Sequence, residues 1–400
     1  VSADHTGMLH SGGRTRRHHR LRGRRLHQAL IGLGVVALLG GCAATPDATD
    51  PDATAPGAAS RERATSRAPG APGTPFSAPP TTAQVRDPTE PDRDGTFHLS
   101  ATRASMGGCA LYPPDHYMNA VDVDTLEVHP RSATWLRDLG AGTDATLLFP
   151  SSRIWAGSRA GTPLNLVDSR VSGFTRVLLN YSYAPKAFRG PYPIPEDPKV
   201  QGYPSAQWDK HLLVVDTAEC RAYELIQYDP FVVALTGVQS ALNGTTYPLD
   251  STEMPVQTTN SPNTPMLGQY VRVDEVRAGE VPHVMAFCSN RISRSFTWPA
   301  RSSDGQLDGP DSMPMGTWIR LQQRVDPATF PPGARAVVTA LQERGAILTD
   351  TCAHSFRLMA ENSGEWNDAD MQQLSRLDTA DFEVVDASAM RADSTSYRVR

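Results

Sequence analysis

The spacing of apolar positions divides the chain into three parts. An unbroken run of apolar residues and Gly covers 29–39. Large apolar residues then nearly vanish until about position 95, and from 96 to 400 they return in short, regular patterns. Within this last part, helical spacing predicts a short helix over 130–139 stopped at Gly140, and a longer one over 334–344 stopped at Gly345. A further amphipathic helix is expected over 367–377, with Asn367 as its N-cap. Alternating or continuous apolar runs predict strands over 146–149, 174–183, 211–216, 221–228, 269–276, 283–287, 316–322, 346–349 and 382–385. Thr217-Ala218-Glu219-Cys220 separates two of these as a hairpin turn. Strands outnumber helices. The expected fold is therefore α+β and strand-dominated, a β-sandwich or distorted barrel-like single domain over 96–400 with a few peripheral helices.

The N-terminal part reads as an address. Residues 14–25 hold seven Arg and two His, the apolar run follows, and Leu39-Gly40-Gly41-Cys42 ends it. Basic, apolar and small residues in that order predict an export signal peptide over 1–41. The apolar run is too short for a membrane span, which needs about 20 residues. Its ending resembles the bacterial lipobox, which implies acylation of Cys42 and a lipoprotein on the outer face of the cell membrane. Residues 43–94 contain ten Pro and twelve Ala. Such a segment buries too little apolar surface to order itself, so 42–95 is expected to be a lipidated Cys followed by a disordered stalk. Extended at about 3.1 Å per residue, it would reach on the order of 150 Å.

Composition narrows the classes. The 400 residues carry a formal charge of −5, and removing 1–41, with its seven Arg and one Asp, would make it −11. That balance argues against a nucleic-acid partner. The expected partners are the membrane, through a lipid on Cys42, and a glycan. Lys occurs only at 186, 199 and 210, an Arg-for-Lys bias typical of a GC-rich genome. In an exported domain, Cys109, Cys220, Cys288 and Cys352 can form disulfides, and three pairings are open. A Cys-nucleophile enzyme would need one of them free beside a His.

No Walker A loop, H-E-x-x-H, G-x-S-x-G or dinucleotide Gly fingerprint occurs, so no cofactor is expected. Asp209, His211 and Asp216 flank or lie in one expected strand, where Asp209 and His211 share a face and could form an oriented general base. Asp274 and Glu275 precede His283 by a short loop, and a hairpin there would bring Glu275 to His283. The candidate catalytic residues are therefore Asp216, Asp274, Glu275, His211 and His283. Arg301, Trp298 and Asp209 are the candidate substrate-binding residues, because an Arg beside an aromatic ring can clamp a sugar acid. Asp115, His116, Asn119, Asp122 and Asp124 form a polar cluster whose irregular spacing gives a calcium site little support, and no metal is expected. The six Trp could offer a sugar-stacking platform, although core positions suit most of them.

The folded part also resembles an uncharacterised family of exported bacterial proteins. The resemblance rests on Val128-His129-Pro130-Arg131-Ser132, Gly190-Pro191-Tyr192-Pro193-Ile194-Pro195, Asp209-Lys210-His211-Leu212-Leu213-Val214-Val215-Asp216 and Tyr223-Glu224-Leu225. It continues through Val273-Asp274-Glu275-Val276, Trp298-Pro299-Ala300-Arg301, Pro314-Met315-Gly316 and Asp381-Phe382-Glu383-Val384-Val385-Asp386. It implies one continuous domain over about 110–386 and no particular activity. Where the family has a His after Trp-Pro-Ala-Arg, this chain has Ser302, and 252–268 departs from the family pattern too. The functional expectation is a surface-anchored lipoprotein that binds or acts on an envelope or environmental glycan. The alternative is a non-catalytic envelope scaffold or solute-binding lipoprotein.

Overall fold

The computed structural model describes residues 103–400, apart from 121, 143–144, 151, 156, 181–183 and 206–207. The expected signal peptide, Cys42 and the stalk lie outside the described residues. The two apolar runs around 217–220 form a hairpin of β2 (Leu212–Asp216) and β3 (Arg221–Ile226). With β1 (Leu164–Val167) and β4 (Asn243–Pro248) they make a four-stranded sheet ordered β4–β3–β2–β1, in which only β1 and β2 run parallel. The second sheet comprises β5 (Met285–Ser289), β6 (Trp318–Leu321), β7 (Ala346–Thr351), β8 (Arg357–Leu358) and β9 (Phe382–Val385). Its order is β8–β5–β7–β6–β9, and β5 and β7 are parallel.

Side-chain alternation explains the layers. Leu213 and Val215 of β2 and Ala222 of β3 point to one face and belong to the same apolar cluster as Ala286, Cys288, Trp318, Ile347 and Val385 of the second sheet. The two sheets thus contribute to one shared core, together with residues of 104–126 such as Tyr112 and Tyr117. The intervening residues of the second sheet, among them Phe287, Ile319, Leu348 and Val384, turn the other way. They are covered by α1 (Ser132–Gly140), through Trp135, Leu136 and Leu139, and by the longest helix, Pro332–Glu343, through Val337, Val338 and Leu341. On the outer side of the first sheet, Leu212, Val214, Tyr223 and Leu225 carry a third apolar cluster roofed by connecting segments. The domain is α+β and strand-dominated. Two disulfides, Cys109–Cys220 and Cys288–Cys352, tie its strands to distant segments.

Three expected strands are corrected. Residues 146–149 make only the isolated bridges Thr146–Asp378 and Leu148–Arg357. Of the described residues in 174–180, Leu178–Leu179 forms a strand, paired with Ser240–Ala241. The run 269–276 ends in a helix. After α2 (Pro230–Thr236), α3 is Val273–Ala278, followed by α4 (Pro332–Glu343) and α5 (Asp368–Gln372). The Glu275 carboxylate accepts from the Arg272 amide at 3.0 Å, and Gly279 closes the helix in the left-handed region. These end contacts override the Val271/Val273 alternation.

Candidate functional site

Trp298 is driven into the inter-sheet core, stacked on Trp318 at 6.5 Å and edge-on to Tyr117 at 5.8 Å. That anchorage sets the exit of the chain, and Arg301 emerges three residues later. The segment 252–268 holds this arginine in place. Arg301 Nη2 donates to the Pro255 and Asn263 carbonyls, both at 2.6 Å, and Nε donates to Asn263 at 3.0 Å. Ser302 donates its hydroxyl to the Ser261 carbonyl at 2.6 Å, fastening the same loop. Arg391 approaches from the C-terminal segment, its guanidinium donating to the Asp393 and Ser394 carbonyls at 2.7 and 2.9 Å.

Arg301 and Arg391 line one pocket of about 400 Å³ with Met254, Phe296, Thr297, Trp298, Ala300 and Ser394. Their partners are neutral groups: carbonyl oxygens and, for Arg301, the Tyr397 hydroxyl as well. Among the described residues neither forms an ion pair with a carboxylate, whereas Arg272, Arg320 and Arg324 do. Carbonyl dipoles orient a guanidinium without cancelling its charge, so the pocket keeps two positive charges beside an apolar wall. Phe296, 52% exposed, presents an aromatic surface there. The Trp298–Arg301 spacing marked half of this site. Arg391 was missed, because it lies ninety positions further along the chain in a segment with no motif.

The candidate catalytic residues do not share a site. Glu275 does meet His283, at 3.1 Å, but from a helix and not across a hairpin. Both are buried with Arg272, whose Nη2 lies 2.8 Å from Glu275 Oε1. The other His283 ring nitrogen faces the Val284 carbonyl at 2.9 Å. Burial pushes the Glu275 carboxyl up, but His283 and Arg272 outweigh it and hold it below the ordinary carboxylate value. This closed cluster braces a helix. Asp274, on the same helix, points to solvent and pairs with Arg272 Nε at 3.2 Å. Asp216 is fully buried and accepts from the amides of Ser169 and Ala218 at 3.1 and 3.0 Å, which organises the hairpin end. His211 is buried away from carboxylates, and desolvation lowers its pKa to about 4, so its ring stays neutral. Asp209 and His211 form no hydrogen bond with each other among the described residues, against the expected oriented base.

Asp209 belongs instead to a carboxylate cluster with Asp304 and Asp350, neither of which carries a sequence signal. Thr351 joins two of them: its amide donates to Asp350 at 2.9 Å and its hydroxyl to Asp304 at 2.7 Å. Burial, then the charges of Asp209 and Asp304, push the Asp350 carboxyl up to about 8. Desolvation, and then Asp304, raise Asp209 as well.

Among the described residues no group of three or more His, Cys, Asp or Glu is placed to hold a metal ion. In the 115–124 cluster, His116 is stacked on Tyr112 at 4.2 Å, and Asn119 donates to the carbonyls of Leu111, Tyr112 and Pro113. The four cysteines of the described residues are all in disulfides, which removes the thiol nucleophile. Of the tryptophans, Trp135, Trp298, Trp318 and Trp366 belong to the cores and form no platform. No family model, curated protein or solved structure matches the chain.

Proposed function

We propose that this is a surface-anchored lipoprotein whose domain binds an acidic glycan of the envelope or surroundings, with the sugar carboxylates held between Arg301 and Arg391. One observation carries the reading: two guanidiniums without carboxylate partners face one pocket that also has an aromatic wall. Each charged contact to a carboxylate contributes roughly 1.5–3 kcal/mol. An aromatic face suits the apolar side of a pyranose ring. Export, expected from the N-terminal pattern, would put the pocket where such polymers occur.

Titration calorimetry with a uronic-acid oligosaccharide and its neutral counterpart tests this. The acidic sugar should bind more tightly, and more weakly as salt rises. Arg391→Gln should cost roughly tenfold or more in affinity at unchanged melting temperature. Equal affinity for both sugars, or none for either, would remove the reading. A second reading, glycan hydrolysis, is favoured by one arrangement: Thr351 links Asp350 to Asp304, and burial with the neighbouring carboxylates pushes the Asp350 carboxyl up to about 8, as an acid–base hydrolase requires of its acid. Turnover of the bound oligosaccharide, lost in Asp350→Asn, would move the function to that cluster.

A further inference from the structure

The helix α2 is built to hold apolar side chains in water. Its sequence Pro230-Phe231-Val232-Val233-Ala234-Leu235-Thr236 has no charged residue and no buried one. Both ends are nevertheless well made. Asp229 accepts from the Phe231 amide at 3.0 Å, and Gly237 closes the last turn in the left-handed region. Asp229 is itself pinned by Lys210 at 2.8 Å. Only Val233 packs partly against the apolar cluster beneath. Phe231 is 63% exposed and Leu235 74%, and at i and i+4 they share one helix face with Val232. Leu178, 64% exposed, lies alongside, because its strand pairs with Ser240–Ala241 just beyond the helix and its amide donates to Gln239. An exposed patch of this kind, held by a capped helix, marks a contact surface.

The charges around it select the partner. Residues 230–249 contain no charged side chain, and of the basic residues in 169–195 Arg170 is neutralised by Asp168 at 2.6 Å, so Arg176 and Lys186 carry the charge assigned to this face. Arg176 stands two positions before Leu178, and both are exposed. Lys186 is exposed on the loop that carries Phe188, which packs on the same outer cluster as Val233. In a chain of net charge −5, this face is apolar at its centre and basic at its edge. A second copy meeting the patch about a two-fold axis would bring basic edges together. An anionic lipid surface matches both features, with apolar side chains entering the headgroup boundary and Arg and Lys meeting phosphates.

We infer that the α2 face, Phe231, Val232, Leu235 and Leu178 with Arg176 and Lys186, docks reversibly on an anionic bilayer. The contact does not require a lipid on Cys42 and is separate from the arginine pocket. It would fold the domain down onto the membrane beside its expected anchor.

The test uses the expected mature chain, 42–400, carrying Cys42→Ser, so that neither the basic and apolar leader nor an acyl chain contributes. Co-sedimentation is measured with phosphatidylcholine vesicles, with and without about a third phosphatidylglycerol. The parent should bind the anionic vesicles preferentially. Phe231→Ser with Leu235→Ser should weaken binding roughly tenfold or more. Arg176→Gln with Lys186→Gln should abolish the preference for anionic over neutral vesicles. Both double variants should keep the parent melting temperature and its affinity for acidic oligosaccharide, which separates this inference from the pocket reading. Binding unaffected by the Phe231/Leu235 change would overturn it. So would a concentration-dependent dimer in sedimentation velocity that the same change dissolves, since the patch would then serve a second copy.

Discussion

Asp350 shows what burial does to a single carboxyl. It lies two residues past the apolar run Ala346–Leu348 of β7, and its neighbours Asp209 and Asp304 add negative charge that Arg357 does not fully offset. Its folded pKa of about 8 lies above the ordinary 3.8. A raised pKa means that the folded state holds its proton more tightly than the unfolded state does. The associated stability is fully present below the ordinary value and is lost as pH rises towards about 8. Asp350→Asn keeps the shape and removes the titration. The variant should match the parent in melting temperature at acid pH and exceed it above about pH 8, with the gap opening between those limits. A gap of constant size across the range would mean that Asp350 titrates normally. Because the three carboxylates interact, the pH profile belongs to the cluster as a whole.

At the scale of elements, α3 is the instructive case. Its sequence alternates like a strand, but it folds as a helix because Glu275 caps its own first turn and bridges to Arg272 and His283. Removing one member of a buried charged cluster leaves the others unpaired, typically at about 3–5 kcal/mol. Glu275→Gln should therefore lower the urea unfolding free energy by about 3 kcal/mol, while acidic-sugar binding at the arginine pocket is retained. A loss under about 1 kcal/mol would show that the cluster does not brace the helix. By contrast, α4 follows its pattern closely. Val337, Val338 and Leu341 face the sheet, and Gly345 adopts φ 70° to turn the chain into β7.

Across the whole molecule, the two disulfides close loops between residues 111 and 64 positions apart. Loop entropy grows only logarithmically with length, so the two crosslinks should contribute similarly, each about 4–5 kcal/mol in the chain-entropy picture. Cys109→Ala with Cys220→Ala should lower stability by an amount within that order, measured by denaturant unfolding. A change under about 1 kcal/mol would show that strand packing alone holds those segments. The Cys288–Cys352 pair joins the end of β5 to the segment after β7, and Cys288 is fully buried. Its removal should add a packing loss to the entropic one.

What the amino-acid order determined by itself was local. The hairpin of β2 and β3, the helices α1 and α4, the Asn367 cap and the strand β9 follow from near-neighbour spacing, because each depends on which side chains recur within a few residues. The strand-rich α+β class followed from their sum. Of the candidate site, Arg301 and Trp298 were legible as a local pair, and Glu275 with His283 as a contact. Tertiary structure alone decided the rest. It brought Arg391 to Arg301, chose one Cys pairing of three, buried Glu275 and Asp216 where they cannot meet a substrate, and gathered Asp209, Asp304 and Asp350. The physical reason is that charge compensation and solvent exclusion depend on every segment packed nearby. Segments far apart in sequence leave no periodic trace of that meeting.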